Sequence, residues 1–209
     1  GLGIRSRHPA PCPAAPAGPS VARGFVRTLT GSTVIRATPL GFSFSGTCAG
    51  IKVRRRDLGL VVSSRPASAA GRFTTSTGRA AAVTWTAARV PGDAVRAVVV
   101  ASGNANCMNG PREAADVEAM AARVAGALAV DRDHVLVATT GAIGIPFPIV
   151  KVEGAVPALV AALADDPLPL AEALLTTDTC TKLAAREVFI DGTPVRVLGI
   201  AKGSGMVHP

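Results

Sequence analysis

The chain has 209 residues, of which 48% are apolar and 17% charged, enough apolar mass for a packed core and too much for a chain disordered throughout. The net charge of +8 is uneven: nine of the 22 Lys/Arg precede the first acid, Asp57, and from Asp57 onward 13 basic residues meet 14 acidic ones. With aromatics at 3% and a nearly neutral body there is no stacking platform for nucleic acid. The longest apolar run, Val156 to Ala164, is about half of the roughly 18 residues that a membrane span needs.

Residues 1–32, rich in Pro, Ala, Arg, Ser and Gly, predict a flexible basic extension. A solvated tail, an arm that meets phosphate and a transit peptide are its three readings. Residues 33–209 then read as a single domain portion. Asp57–Ser63 and Ala80–Thr86 predict strands, and Ala94–Ala101 a buried one. The loop Ser102–Gly110 leads to Pro111, which opens a helix to about Leu128. Its stripe of Val117, Met120, Ala121, Val124 and Leu128 recurs at helical spacing. A strand over His134–Ala138 follows, then helices over Val152–Leu163 and Leu170–Leu175. Strands Arg186–Ile190 and Pro194–Ile200 close a hairpin around Asp191-Gly192. Interleaved strands and helices make the fold class α/β.

Three small-residue segments follow apolar strands. Gly103-Asn-Ala-Asn106 is either a structural turn or a set of ligand-facing amides. Thr139-Thr-Gly-Ala-Ile-Gly144 is an ordinary turn or a pair of uncharged donors for an oxyanion. Gly199-Ile-Ala-Lys-Gly-Ser-Gly205 sets Lys202 among glycines without the order of a phosphate loop, so Lys202 is exposed or binds a carboxylate. Thr176-Thr-Asp-Thr179 reads as a turn after a helix end. Cys12, Cys48, Cys107 and Cys180 form no CxxC, and the scattered His8, His134 and His208 give no zinc spacing. Free thiols in a reducing, cytoplasmic setting are expected. Neither Gly-x-Ser-x-Gly nor Gly-x-Gly-x-x-Gly occurs.

Taken together, these segments resemble the ornithine acetyltransferases (glutamate N-acetyltransferases) of arginine biosynthesis. The resemblance runs from Gly41 to Pro209. It rests on Gly41-Phe42 with Cys48-Ala-Gly-Ile-Lys52, Pro66-Ala-Ser-Ala-Ala-Gly71 with Phe73-Thr-Thr75, and Ser102-Gly-Asn-Ala-Asn106. Thr140-Gly141 with Ile143-Gly144, Thr176-Thr-Asp178 and Ala201-Lys-Gly-Ser-Gly-Met206 complete it. Ser76-Thr77 and Cys107-Met-Asn-Gly110 depart from the family pattern.

The resemblance implies a four-layer αββα sandwich shared between an α chain, this one, and a β chain released when the precursor cleaves itself. The nucleophile is then a threonine at the start of the β chain, expected just past Pro209. By correspondence Thr140 (side chain) and Gly141 (backbone amide) form the oxyanion hole, and Thr176 and Lys202 bind substrate. The implied reaction is a ping-pong exchange from N-acetylornithine to glutamate, with acetyl-CoA as a further candidate donor. No cofactor, metal, nucleic acid or membrane is expected, and a heterotetramer of two α and two β chains, or a larger assembly, is. The rival readings are a paralogue of specialised metabolism acting on another amine, and an amidase or aminopeptidase of related fold with an N-terminal nucleophile. An α chain on its own should also expose apolar surface.

Overall fold

A computed structural model describes residues 38–203; the extension read over residues 1–32 lies outside them. Among the described residues six strands and four α-helices follow one another: β1 (Phe42–Thr47), β2 (Leu58–Ala69), α1 (Ala81–Ala87), β3 (Gly92–Asn104), α2 (Arg112–Leu128), β4 (Val135–Ala142), α3 (Ile149–Ala161), α4 (Leu168–Leu174), β5 (Lys182–Ile190) and β6 (Thr193–Ala201). β1 to β4 form one sheet in that order and β5–β6 a second. The first two pairings are antiparallel, and β3 runs parallel to β4. The fold is α/β, as the interleaved pattern predicts.

Alternation along the strands sends Leu58, Leu60, Val99, Val135 and Val137 to one face, where α2 and α3 cover them. Val117, Met120 and Val124 from α2 and Val152, Val156 and Leu159 from α3 meet them there, all essentially buried. Burying each such side chain stabilises the fold by about 1.5–3 kcal/mol, so the stripe read from the sequence is the core. On the other face α4 lies close to the backbone of β1 and β2. Gly46 and Gly59, paired across those strands, make the approach possible. A Cβ on Gly46 would stand 2.0 Å from the Pro169 carbonyl oxygen, and one on Gly59 would stand 2.5 Å from Leu170.

One expectation needs correction: Ala80–Thr86, read as a strand, is helix α1, and strand β1 stands where the sequence pattern predicts no element. A seven-residue run of Ala, Val, Thr and Trp has no decisive period, so tertiary contacts decide its conformation. They do so at the outer edge of β4. Trp85 Nε1 donates to the Val135 carbonyl at 2.9 Å, while Thr86 Oγ1 donates to the Val137 carbonyl at 2.6 Å and accepts the Val137 amide at 3.1 Å. A helix presents those two side chains to consecutive outward-facing backbone groups, whereas a strand would send neighbours to opposite faces. Of the cysteines, Cys107 and Cys180 are free thiols, Cys107 partly buried and Cys180 exposed.

Candidate active site

The parallel strands β3 and β4 end side by side, with Ser102 opposite Thr140 and Gly103 opposite Gly141. Thr140 and Gly141 therefore belong to the end of a strand and not to a turn. Gly141 has φ +135°, and a Cβ there would lie 2.3 Å from the Gly103 carbonyl carbon and 2.6 Å from the Asn104 nitrogen. Only glycine fits such a place, on both counts. The surroundings are tied down as well. The Asn104 side-chain amide donates to the carbonyls of Ile145 and Pro146, each at 3.1 Å, and Thr139 Oγ1 donates to the Ala105 carbonyl at 2.7 Å. The amides of Ala105 and Asn106 are used internally, on the Ala142 carbonyl and Asn104 Oδ1, both at 2.8 Å. The Gly103–Asn106 segment thus acts as a frame, and the donors it leaves at the surface are those of Thr140 and Gly141, half-buried and exposed respectively.

Asp178 organises a second group. Its side chain is 1% exposed, and Lys182 Nζ donates to Oδ1 at 2.8 Å. The Gly203 amide donates to the same oxygen, the Thr176 amide donates to Oδ2 at 3.4 Å, and Lys202 Nζ stands 4.0 Å from Oδ2. Burial alone would raise this carboxyl, but hydrogen bonds from Lys182 and from the amides of Gly203 and Thr176 hold it down at about 2. Gly203 has no room for a side chain, since a Cβ would lie 2.6 Å from Asp178 Oδ1. Lys202 Nζ donates to the Gly203 carbonyl at 2.8 Å, and its side chain keeps 28% exposure. One carboxylate therefore brings the Thr176 and Lys202 segments together. Lys182 takes the shorter contact with it, so the Lys202 ammonium remains able to meet a further anion.

Lys52 and Asp57 join the two groups, and the sequence reading gave neither a role. Buried Asp57 accepts the amides of Ala49, Gly50, Ile51 and Lys52 at 2.5, 3.1, 2.6 and 2.8 Å, which fixes the loop between β1 and β2. Lys52 passes beside Gly103, where an added Cβ would stand 2.7 Å from its Cγ, and its Nζ donates to the Leu175 carbonyl at 2.6 Å. Ser102 Oγ donates to the Ala173 carbonyl in the same helix end. Burial pulls the Lys52 ammonium down to about 8, with Asp57 opposing and Arg55 adding to the fall. The available signals were the first acid of the chain at 57 and the lysine that closes Cys48-Ala-Gly-Ile-Lys52.

A cavity of about 470 Å³ between α1 and α2, floored by Trp85 and Val117, is lined by none of Thr140, Gly141, Thr176 and Lys202. Among the described residues no cluster of His, Cys, Asp and Glu is arranged to hold a metal ion, and no helix is long and apolar enough to cross a membrane.

The model of the ArgJ family matches residues 43–209. The chain belongs to the ArgJ family. The arginine biosynthesis bifunctional protein ArgJ of Thermotoga neapolitana is 42% identical over 173 residues, covering 82% of this chain and 44% of that protein. The ArgJ protein of Geobacter sulfurreducens is also 42% identical, over 81% of this chain and 44% of its own length. The chain thus spans less than half the length of these curated relatives. The crystal structure of the ArgJ protein from Bacillus halodurans superimposes with a TM-score of 0.78 at 33% identity, over 84% of this chain and 92% of that one. An ornithine acetyltransferase from Mycobacterium tuberculosis, solved in complex with ornithine, superimposes with a TM-score of 0.76 at 36% identity, covering 83% and 96%.

Proposed function

We propose that this ArgJ-family chain is the α chain of a self-processing ornithine acetyltransferase, which moves the acetyl group of N-acetylornithine to glutamate through an acetyl-threonine on its β chain. The observation that carries the reading is the pairing of two kinds of donor in one α/β frame. Uncharged donors stand at Thr140 and Gly141, and a cation at Lys202 is held beside Thr176 by Asp178. Similarity to an acetyltransferase solved with ornithine supports the substrate class.

In this reading the β chain begins with the nucleophilic threonine. Its own α-amine, with a pKa of about 8, takes the hydroxyl proton as the oxygen attacks the acetyl carbonyl. The carbonyl oxygen becomes an oxyanion, which the Thr140 hydroxyl and the Gly141 amide stabilise. Collapse of the tetrahedral intermediate breaks the bond to nitrogen, and ornithine leaves with the proton. Glutamate's amine then attacks the acetyl-threonine and restores the free hydroxyl. Lys202 pairs with the substrate carboxylate, and Thr176 lies beside it. No cofactor enters this exchange. Acetyl-CoA is a second donor, the assembly is a heterotetramer, and the compartment is the cytoplasm.

Intact mass spectrometry of the full-length gene product, incubated with N-acetylornithine, tests the proposal. A second chain that begins with threonine and carries one added acetyl group supports it. An uncleaved or unacetylated product refutes the acetyl-threonine route.

A further inference from the structure

The two halves of the site come from segments far apart in the chain, and something must hold them at a set distance. Lys52 touches both. Its aliphatic stem lies against Gly103, which pairs with Gly141, and its ammonium donates to the Leu175 carbonyl at 2.6 Å with the Ala173 carbonyl at 3.5 Å. Leu175 is the C-cap that follows Leu174, the last residue of α4, and immediately precedes Thr176. A cation at the carbonyl end of a helix is favoured by the orphan carbonyls and by the helix dipole. The loop that carries Lys52 is itself rigid, because Asp57 ties down four consecutive amides.

We propose that Lys52 is a positioning residue of the acetyl transfer: as an ammonium it spans from the back of Gly103 to the end of α4, and so sets where Thr176 meets the substrate. The proposal rests on the acetyltransferase reading above. No other charged side chain makes this span among the described residues. Arg56 pairs with Glu172 of α4 at 3.3 Å, and Lys151 of α3 donates to the Gly50 carbonyl at 3.1 Å. Asp57 and Arg55 are the charges that act on Lys52. A half-buried ammonium whose pKa burial pulls down to about 8 is costly to keep, and a structural strut could have been apolar.

Its titration has the opposite sign to that of the nucleophile. The terminal amine must be deprotonated to act as base, which gives kcat/KM for the donor an ascending limb. Lys52 must be protonated, which gives a descending limb above about pH 8.

The test uses the processed two-chain enzyme with N-acetylornithine as donor. Lys52→Met is expected to raise KM about tenfold or more with a smaller change in kcat, as loss of a charge-assisted hydrogen bond predicts. Lys52→Arg, which does not titrate in this range, should recover most of the activity at neutral pH and move the descending limb to higher pH. A Lys52→Arg profile that superimposes on the wild type overturns the proposal, even if the Met variant fails to fold. Hydrogen exchange supplies a readout independent of activity. The peptide spanning residues 173–178 should exchange about tenfold faster in Lys52→Met while α2 is unchanged. Equal exchange in that peptide overturns the proposal. A wild-type enzyme that acquires no acetyl group counts against the acetyltransferase reading instead, and the exchange measurement then still decides whether Lys52 holds the Thr176 segment.

Discussion

The two halves of the candidate site are built by different physics. Around Gly141 the constraint is steric: backbone meets backbone at distances that admit no side chain, and the flanking amides are spent on neighbouring strands. Around Asp178 the constraint is electrostatic: one buried carboxylate gathers two amides and two ammonium groups from segments about 25 residues apart. A steric frame holds its geometry at any salt or pH, which suits donors aimed at an oxyanion. A charge cluster responds to pH and to a bound anion, which suits recognition of a carboxylate.

Each half can be broken separately. Gly141→Ala should have the largest effect, about 3–4 kcal/mol of lost stability, because it adds both a backbone clash and a left-handed strain. Chemical denaturation measures the loss, and salt should not change it. Thr140→Val keeps the branched shape of the side chain and removes its hydroxyl. It should lower kcat about 100-fold with Tm nearly unchanged, as loss of one oxyanion donor does. Asp178→Asn should cost about 2 kcal/mol and raise KM, since two amides and Lys182 lose their ionised acceptor.

The sign of the pH effect follows from the low value at Asp178. A carboxyl held at about 2 stabilises the fold above its unfolded value of 3.8, and the contribution is lost as pH falls through that window. The stability difference between wild type and Asp178→Asn in chemical denaturation should therefore be smaller at pH 2.5 than at pH 5. Lys182→Met should be the mildest change, under about 1 kcal/mol, because that side chain is 36% exposed and solvent screens the pair. Salt should narrow the difference between Lys182→Met and wild type while leaving Gly141→Ala where it was, and that contrast tests the division directly.

The same contrast explains what was legible in the sequence. Periodic elements were: β3 with its Val98-Val-Val100 run, and α2 with its stripe from Val117 to Val124, carry their burial pattern in consecutive residues. The hairpin around Asp191-Gly192 announced itself by its turn. Thr140, Gly141, Thr176 and Lys202 came from resemblance, because no spacing rule singles out a threonine at a strand end. Lys52 was beyond reach for a physical reason: its acceptor at Leu175 is 123 residues away, and nothing local records a contact of that separation. Helix α1 was misread because its conformation is set by the edge of β4 and not by its own residues.

That edge has a consequence for assembly. The Thr86 hydroxyl occupies both the amide and the carbonyl of Val137 on the outer side of β4. At the opposite side of the sheet Phe44 of β1 exchanges two hydrogen bonds with Ala164, at 2.7 and 3.0 Å. Both margins are thus plugged at mid-strand, which blocks an added strand from running along either one. Apolar surface remains elsewhere, with Phe189 at 70% and Val197 at 51% exposure on the hairpin. The four-stranded sheet is thus closed to further strands at those two positions, and any growth by strand pairing is left to the free edges of the β5–β6 hairpin.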